Sequence, residues 1–134
     1  YTNAWDVRQS VKDLTSHNLE LYSYWVNFQK KNEYNPIHTH DGVYSFAIWL
    51  KVPYLIDDEL NADHCKFSNS PRPGMFSFIY SNIFGEIREA YFPVDKTYEG
   101  MIFLFPSNLN HMVYPFSTSD EYRISISGNV RRKI

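Results

Sequence analysis

Seven short runs of aromatic and β-branched residues, each closed off by a turn signal, constrain this chain more than any other feature. They are LYSYWVNFQ (21–29), VYSFAIWLKV (43–52), MFSFIYS (75–81), IFGEIREAYF (83–92), MIFLF (101–105), LNHMVYPF (109–116) and YRISISGNV (122–130). Rings and branched side chains pack well on a pleated surface. Between the runs lie Asn35-Pro36, Pro71-Arg72-Pro73-Gly74, Glu99-Gly100, Pro106-Ser107-Asn108 and Ser117-Thr118-Ser119-Asp120, combinations that break regular structure. Runs of this length and punctuation predict an all-β sandwich or barrel. The run 43–52 is nearly continuous in apolar residues, as in a strand buried on both faces. Runs 75–81 and 83–92, separated by little more than Asn82, read as a strand pair.

Two stretches depart from this pattern. In AWDVRQSVKDLTSHN (4–18), Trp5, Val7, Val11 and Leu14 give an imperfect 3–4 spacing, which predicts a short helix ending near Asn18. Residues 53–73, PYLIDDELNADHCKFSNSPRP, form a long polar insertion. A loop of about 20 residues in a compact domain is usually functional or disordered. Its Asp57-Asp58-Glu59 run reads as a solvated acidic loop rather than as an acid–base pair.

The 134 residues fit one domain, 1–134. A net charge of −2 disfavours a nucleic-acid module, which works by neutralising phosphates. The one cysteine, Cys65, permits no internal disulfide, and a reducing, cytoplasmic setting is expected. Cys65 also has no histidine placed to activate it, since His64 is its immediate neighbour. No apolar run approaches the length of a membrane span. Because the chain opens on Tyr1 rather than Met, a further N-terminal portion is left open, as is a homodimer.

The chemistry lies in the histidines. His17 and His64 sit in polar settings and read as surface residues. His38 and His40, in NPIHTHDG, are two apart, and on extended chain such residues share a face. Neutral imidazole is a good ligand for first-row transition metals. His111 follows in LNHMV, where Leu109, His111 and Val113 share a face if the chain is extended. In YRISISG, Arg123, Ser125 and Ser127 share one face, and Ile124 and Ile126 the other. An arginine on an inward face needs an anionic partner, because a buried unpaired charge is very costly. Its planar fork suits a carboxylate.

His-x-His, a later His and Arg-x-Ser on short strands resemble the iron(II)- and 2-oxoglutarate-dependent oxygenases. The likeness is to small members related to prolyl hydroxylases, common in phages and marine bacteria. It is carried by YWVNFQKKNEYNPIHTHDGVYSFAIWLKVP, EGMIFLFPSNLNHMVYPF and YRISIS, roughly residues 22–53 and 99–130. The resemblance implies a double-stranded β-helix, a cupin-like jelly-roll barrel, with Fe(II) and 2-oxoglutarate at its open end. It implies His38 as first ligand and His111 as distal ligand. Arg123 would anchor the far carboxylate of 2-oxoglutarate, with Ser125 donating a hydrogen bond to it, and Asn27 is a further cosubstrate-binding candidate. Where the wider superfamily carries Asp or Glu, this chain has His40.

Three readings of that departure stand open. His38, His40 and His111 form a three-histidine site; or a turn at Asp41-Gly42 brings in Asp41 as the carboxylate; or no redox metal binds. Three functions are weighed separately: a dioxygenase hydroxylating a small-molecule or peptidyl substrate, a cupin-like three-histidine metalloprotein that does not use 2-oxoglutarate, and a non-catalytic jelly-roll binding or structural module. Trp25, Phe46, Ile48, Phe103 and Phe105 are candidate wall residues, and the insertion 53–73 a candidate lid or substrate-contact loop.

Overall fold

The structure, a computed structural model, describes residues 18–133. The helix expected over 4–18 falls almost wholly outside them, as does His17. Eight strands form two antiparallel sheets: β1 (Leu19–Gln29), β2 (Asn35–His38), β3 (Tyr44–Lys51), β4 (Phe76–Ser81), β5 (Ile87–Phe92), β6 (Ile102–Pro106), β7 (Asn110–Val113) and β8 (Arg123–Arg132). One sheet has the order β1-β8-β3-β6 and the other β2-β7-β4-β5. This is the jelly roll expected from the sequence. No helix among the described residues is long and apolar enough to cross a membrane.

Apolar side chains from both sheets meet between them. Trp49, Val52, Tyr54, Phe76, Val94, Phe105 and Phe116 are buried there, with Phe78, Phe92 and Phe103 packed against them. Each such side chain contributes about 1.5–3 kcal/mol by leaving water. Rings in this cluster meet edge-on, as Trp49 does with Phe76 at 5.9 Å between centroids, an arrangement the ring quadrupole favours.

Three expectations need correction. Strand β3 is not buried on both faces: its inward residues Ser45, Ala47 and Trp49 are buried, while Leu50 is exposed. Tyr24, Val26 and Phe28 of β1 and Ile102 and Leu104 of β6 are likewise exposed, so an apolar run reported only one buried face. Run 83–92 becomes a strand only at Ile87. The side chain of Asn82 accepts from the backbone N–H groups of Phe84 and Glu86 at 2.9 and 3.1 Å, closing a hairpin that leaves Ile83 and Phe84 in solvent. Conversely, β2 forms across the turn signal Asn35-Pro36. It is an edge strand, where a proline's missing N–H costs no ladder bond.

The insertion is also not a solvated loop. It contains a short helix, α1 (Ile56–Leu60), and Tyr54, Glu59 and Cys65 within it are buried. Asp57 and Asp58 face solvent, whereas Glu59 is fully buried.

On the outer side of β8, Gly128 pairs with Phe46 of β3 and Tyr24 of β1. A Cβ there would lie 2.6 Å from the Phe46 ring and 2.7 Å from the Ser23 carbonyl oxygen. The ring can swing aside, but the carbonyl belongs to a paired strand. Gly128→Ala is therefore expected to destabilise the fold by about 1–3 kcal/mol, read as a lower denaturant midpoint at unchanged slope.

Candidate metal centre and cavity

The site is built from one strand pairing. β2 and β7 run antiparallel with His38 directly opposite His111, and β4 carries Phe78 opposite His111 on the far side. His40 lies just past the end of β2, where its backbone N–H donates to the Ser107 carbonyl at 2.8 Å. Ring centroids are 4.2 Å apart for His38–His111, and 5.0 Å for both His38–His40 and His40–His111. Three imidazoles from distant parts of the chain thus meet at one point.

Their hydrogen bonds prepare them as ligands. Nδ1 of His38 lies 2.6 Å from the Pro36 carbonyl, and Nδ1 of His111 lies 2.9 Å from the Leu109 carbonyl. A carbonyl only accepts, so in each ring Nδ1 carries the proton and Nε2 keeps its lone pair. The Asn35 amide is 3.4 Å from Nε2 of His38, a weak contact that a cation would replace. Ligand nitrogens of the three rings lie within 4.8 Å of one another. Three nitrogens bound to one cation at about 2.1 Å stand about 3–3.4 Å apart. Metal binding would therefore draw the most distant pair together by up to about 1.5 Å, and three imidazoles are a donor set that suits a first-row metal. Asp41 is exposed, its backbone carbonyl accepts from the Tyr22 hydroxyl at 2.8 Å, and its carboxylate is not part of the cluster.

The surroundings favour the neutral form of two of the rings. Burial lowers the pKa of His111 to about 4, against the hydrogen bond to the Leu109 carbonyl, with His38 and His40 adding to the lowering. Burial and then His38 lower that of His40, with Asp41 opposing. Phe76 and Phe105 lie 5.8 and 4.8 Å from the His111 ring, and Trp25 lies 5.5 Å from His40.

Behind the histidines is a cavity of about 560 Å³, ample for a small diacid. Its wall from the first sheet is polar. Asn27, Ser125 and Trp49 occupy one row across β1, β8 and β3, and Trp25, Ser127 and Ala47 the next. Asn27 donates to Ser127 Oγ at 3.0 Å and to Ser125 Oγ at 3.3 Å, and accepts from Trp25 Nε1 at 3.2 Å. Trp49 Nε1 is buried with no partner among the described residues. Among the candidate wall residues, Trp25, Phe46 and Phe105 line the cavity, whereas Ile48 and Phe103 do not; nor does any residue of the insertion 53–73.

Arg123 sits one row deeper and does not itself line the cavity. It is only 2% exposed, yet no carboxylate among the described residues forms an ion pair with it. Its Nη1 donates to the Tyr54 hydroxyl at 2.5 Å and the Gly74 carbonyl at 2.9 Å. Its Nη2 donates to Gln29 Oε1 at 2.7 Å and the Tyr114 carbonyl at 3.0 Å. Nε has no partner. Burial lowers its pKa. A buried guanidinium held only by neutral oxygens lacks the anion that its charge calls for. Gln29, which lines the cavity, separates it from that space.

Tyr54 and Gln29 carry no sequence signal, and Glu59 reads there as part of a solvated acidic run. Gly74 left a signal, in Pro71-Arg72-Pro73-Gly74: it adopts φ +70°, and a Cβ would lie 2.7 Å from the Tyr54 ring.

The depressed His111 pKa has a measurable consequence in the metal-free protein. Between pH 6.5 and about 4 the unfolded chain binds a proton that folded His111 refuses. Stability therefore rises with pH across this window and falls as acid is added, by up to about 3 kcal/mol. Denaturant titrations at pH 4.5 and 7 are expected to show this loss, and His111→Gln to remove most of it.

Comparison with known proteins fits this geometry. Residues 23–129 match a family described as "Putative 2OG-Fe(II) oxygenase". Comparison with curated proteins yields no match. Among solved structures, a prolyl-4-hydroxylase from Pseudomonas putida aligns with a TM-score of 0.56 at 16% identity, covering 98% of this chain. The chain spans 63% of that structure, and at this identity the likeness speaks for the fold alone. With the family match extending over most of its length, the chain belongs to the 2OG-Fe(II) oxygenase family.

Proposed function

We propose that the chain is an Fe(II)- and 2-oxoglutarate-dependent dioxygenase that hydroxylates a small-molecule or peptidyl substrate. The observation that carries this reading is the convergence of His38, His40 and His111 at a cavity whose polar wall is backed by a buried, uncompensated Arg123. The family supplies the identity of the metal and cosubstrate. When bound, they would supply the activation of dioxygen, with 2-oxoglutarate consumed to succinate and carbon dioxide.

In this reading the three histidines hold the metal, rather than two of them with Asp41. Three neutral ligands leave the cation's double charge uncompensated, and this favours a further, anionic ligand such as the keto acid. Arg123 receives the far carboxylate, with Ser125 and Asn27 positioned along the path to it. The unpartnered Trp49 N–H lies in the same row as Ser125 and offers one more donor to that ligand. Trp25, Phe76 and Phe105 exclude water around the rings. The P. putida neighbour is named for prolyl hydroxylation, which makes a peptidyl substrate one candidate class.

A three-histidine metalloprotein that does not use 2-oxoglutarate has one observation in its favour: four of the five Arg123 donors are already engaged, and its guanidinium is off the cavity wall. Anaerobic titration separates the two. Adding 2-oxoglutarate to the Fe(II) protein is expected to produce a visible charge-transfer band, and metal binding without such a band supports the second reading. His111→Ala is expected to abolish metal binding. Arg123→Lys keeps the charge and loses the fork, so it is expected to keep metal affinity while weakening 2-oxoglutarate binding by about tenfold or more. Calorimetric titration with each ligand checks both.

A further inference from the structure

The insertion between β3 and β4 does not reach the cavity, yet both of its ends touch the Arg123 guanidinium. Tyr54 near its start accepts from Nη1, and its own hydroxyl donates to Gly74 O at 2.9 Å. Gly74, at the far end, accepts from the same Nη1. The opposite wall of the socket is the segment after β7. There the Tyr114 carbonyl accepts from Nη2, and Phe116 stacks on Tyr54 with centroids 4.9 Å apart and sits 5.4 Å from the guanidinium carbon.

One side chain ties these walls together. Glu59 of α1 is fully buried and forms no ion pair with a cation among the described residues. Its oxygens instead accept from the backbone N–H of Ser117 at 2.9 and 3.0 Å and of Thr118 at 2.7 Å. They also accept the Ser117 and Thr118 hydroxyls at 3.0 and 2.5 Å. A carboxylate so placed fixes the chain immediately after Phe116 against the insertion. Its negative charge also lies in the same buried block as Arg123 and acts on it favourably. The mechanism above leaves this residue unused.

We infer that Glu59 is a positioning residue for Arg123: by pinning Ser117 and Thr118 to the insertion it holds the guanidinium socket in the geometry that receives the distal carboxylate of 2-oxoglutarate. The inference rests on Arg123 having that role, and the test separates the two. Co(II) affinity, followed by its absorbance, and 2-oxoglutarate affinity of the Co(II) protein, followed by calorimetry, are measured for the wild-type chain, Glu59→Gln, Thr118→Val and Arg123→Lys. Glu59→Gln is expected to weaken 2-oxoglutarate binding about tenfold, with Co(II) affinity unchanged and a smaller shift of the same sign in Thr118→Val. A purely structural staple would leave the 2-oxoglutarate affinity of the folded variants at the wild-type value. That result, alongside weakened binding in Arg123→Lys, overturns the inference and spares the parent reading. Unchanged binding in Arg123→Lys overturns both. If Glu59→Gln does not fold, Thr118→Val decides, and wild-type 2-oxoglutarate affinity there overturns the inference.

Discussion

The pairing of β2 with β7 is the contact on which the rest depends. Only four residues long on each side, it sets His38 opposite His111 and leaves His40 to turn in from the strand end. The pairing also decides which nitrogen faces the centre. Pro36 of β2 and Leu109, just before β7, each lend a backbone carbonyl to the Nδ1 of the histidine two residues on. A slip of one residue would send His111 to the opposite face. β4 on the other flank of β7 resists such a slip, because its Phe76 is buried in the aromatic core and its Phe78 packs against it.

The second constraint is electrostatic. Among the described residues, the jelly roll buries a guanidinium with no ion pair and gathers three imidazoles, two of which, His40 and His111, burial holds toward the neutral form. A buried guanidinium held only by neutral hydrogen-bond partners is costly unless something anionic completes the region. Two buried N–H groups without partners, on Trp49 and Arg123, belong to the same region. The nearest structural carboxylate, Glu59, is spent on the 117–118 backbone.

Much of this was legible in the sequence, for physical reasons. Aromatic and β-branched runs with turn residues between them specify an antiparallel two-sheet fold whatever their pairing order. The parity of Arg123, Ser125 and Ser127 is visible because strand side chains alternate, and the structure keeps it: Ser125 and Ser127 face the cavity and Arg123 the socket behind. What escaped was tertiary in origin. Continuous apolarity in 43–52 cannot reveal whether a second layer covers the outer face. Asn35-Pro36 reads as a turn unless one knows that β2 is an edge. Glu59 looks like its exposed neighbours Asp57 and Asp58, because only the distant Ser117 and Thr118 give it a reason to be buried. The same holds for Tyr54, whose importance comes from a contact 69 residues away.

The most direct test of the account is the ligand set of the metal itself. X-ray absorption on the metal-loaded protein, with and without 2-oxoglutarate, counts bound imidazoles by their outer-shell scattering. The account predicts three imidazoles in the wild-type protein and an unaltered spectrum in Asp41→Asn. Two imidazoles with a protein carboxylate, and a spectrum that changes in Asp41→Asn, would contradict it.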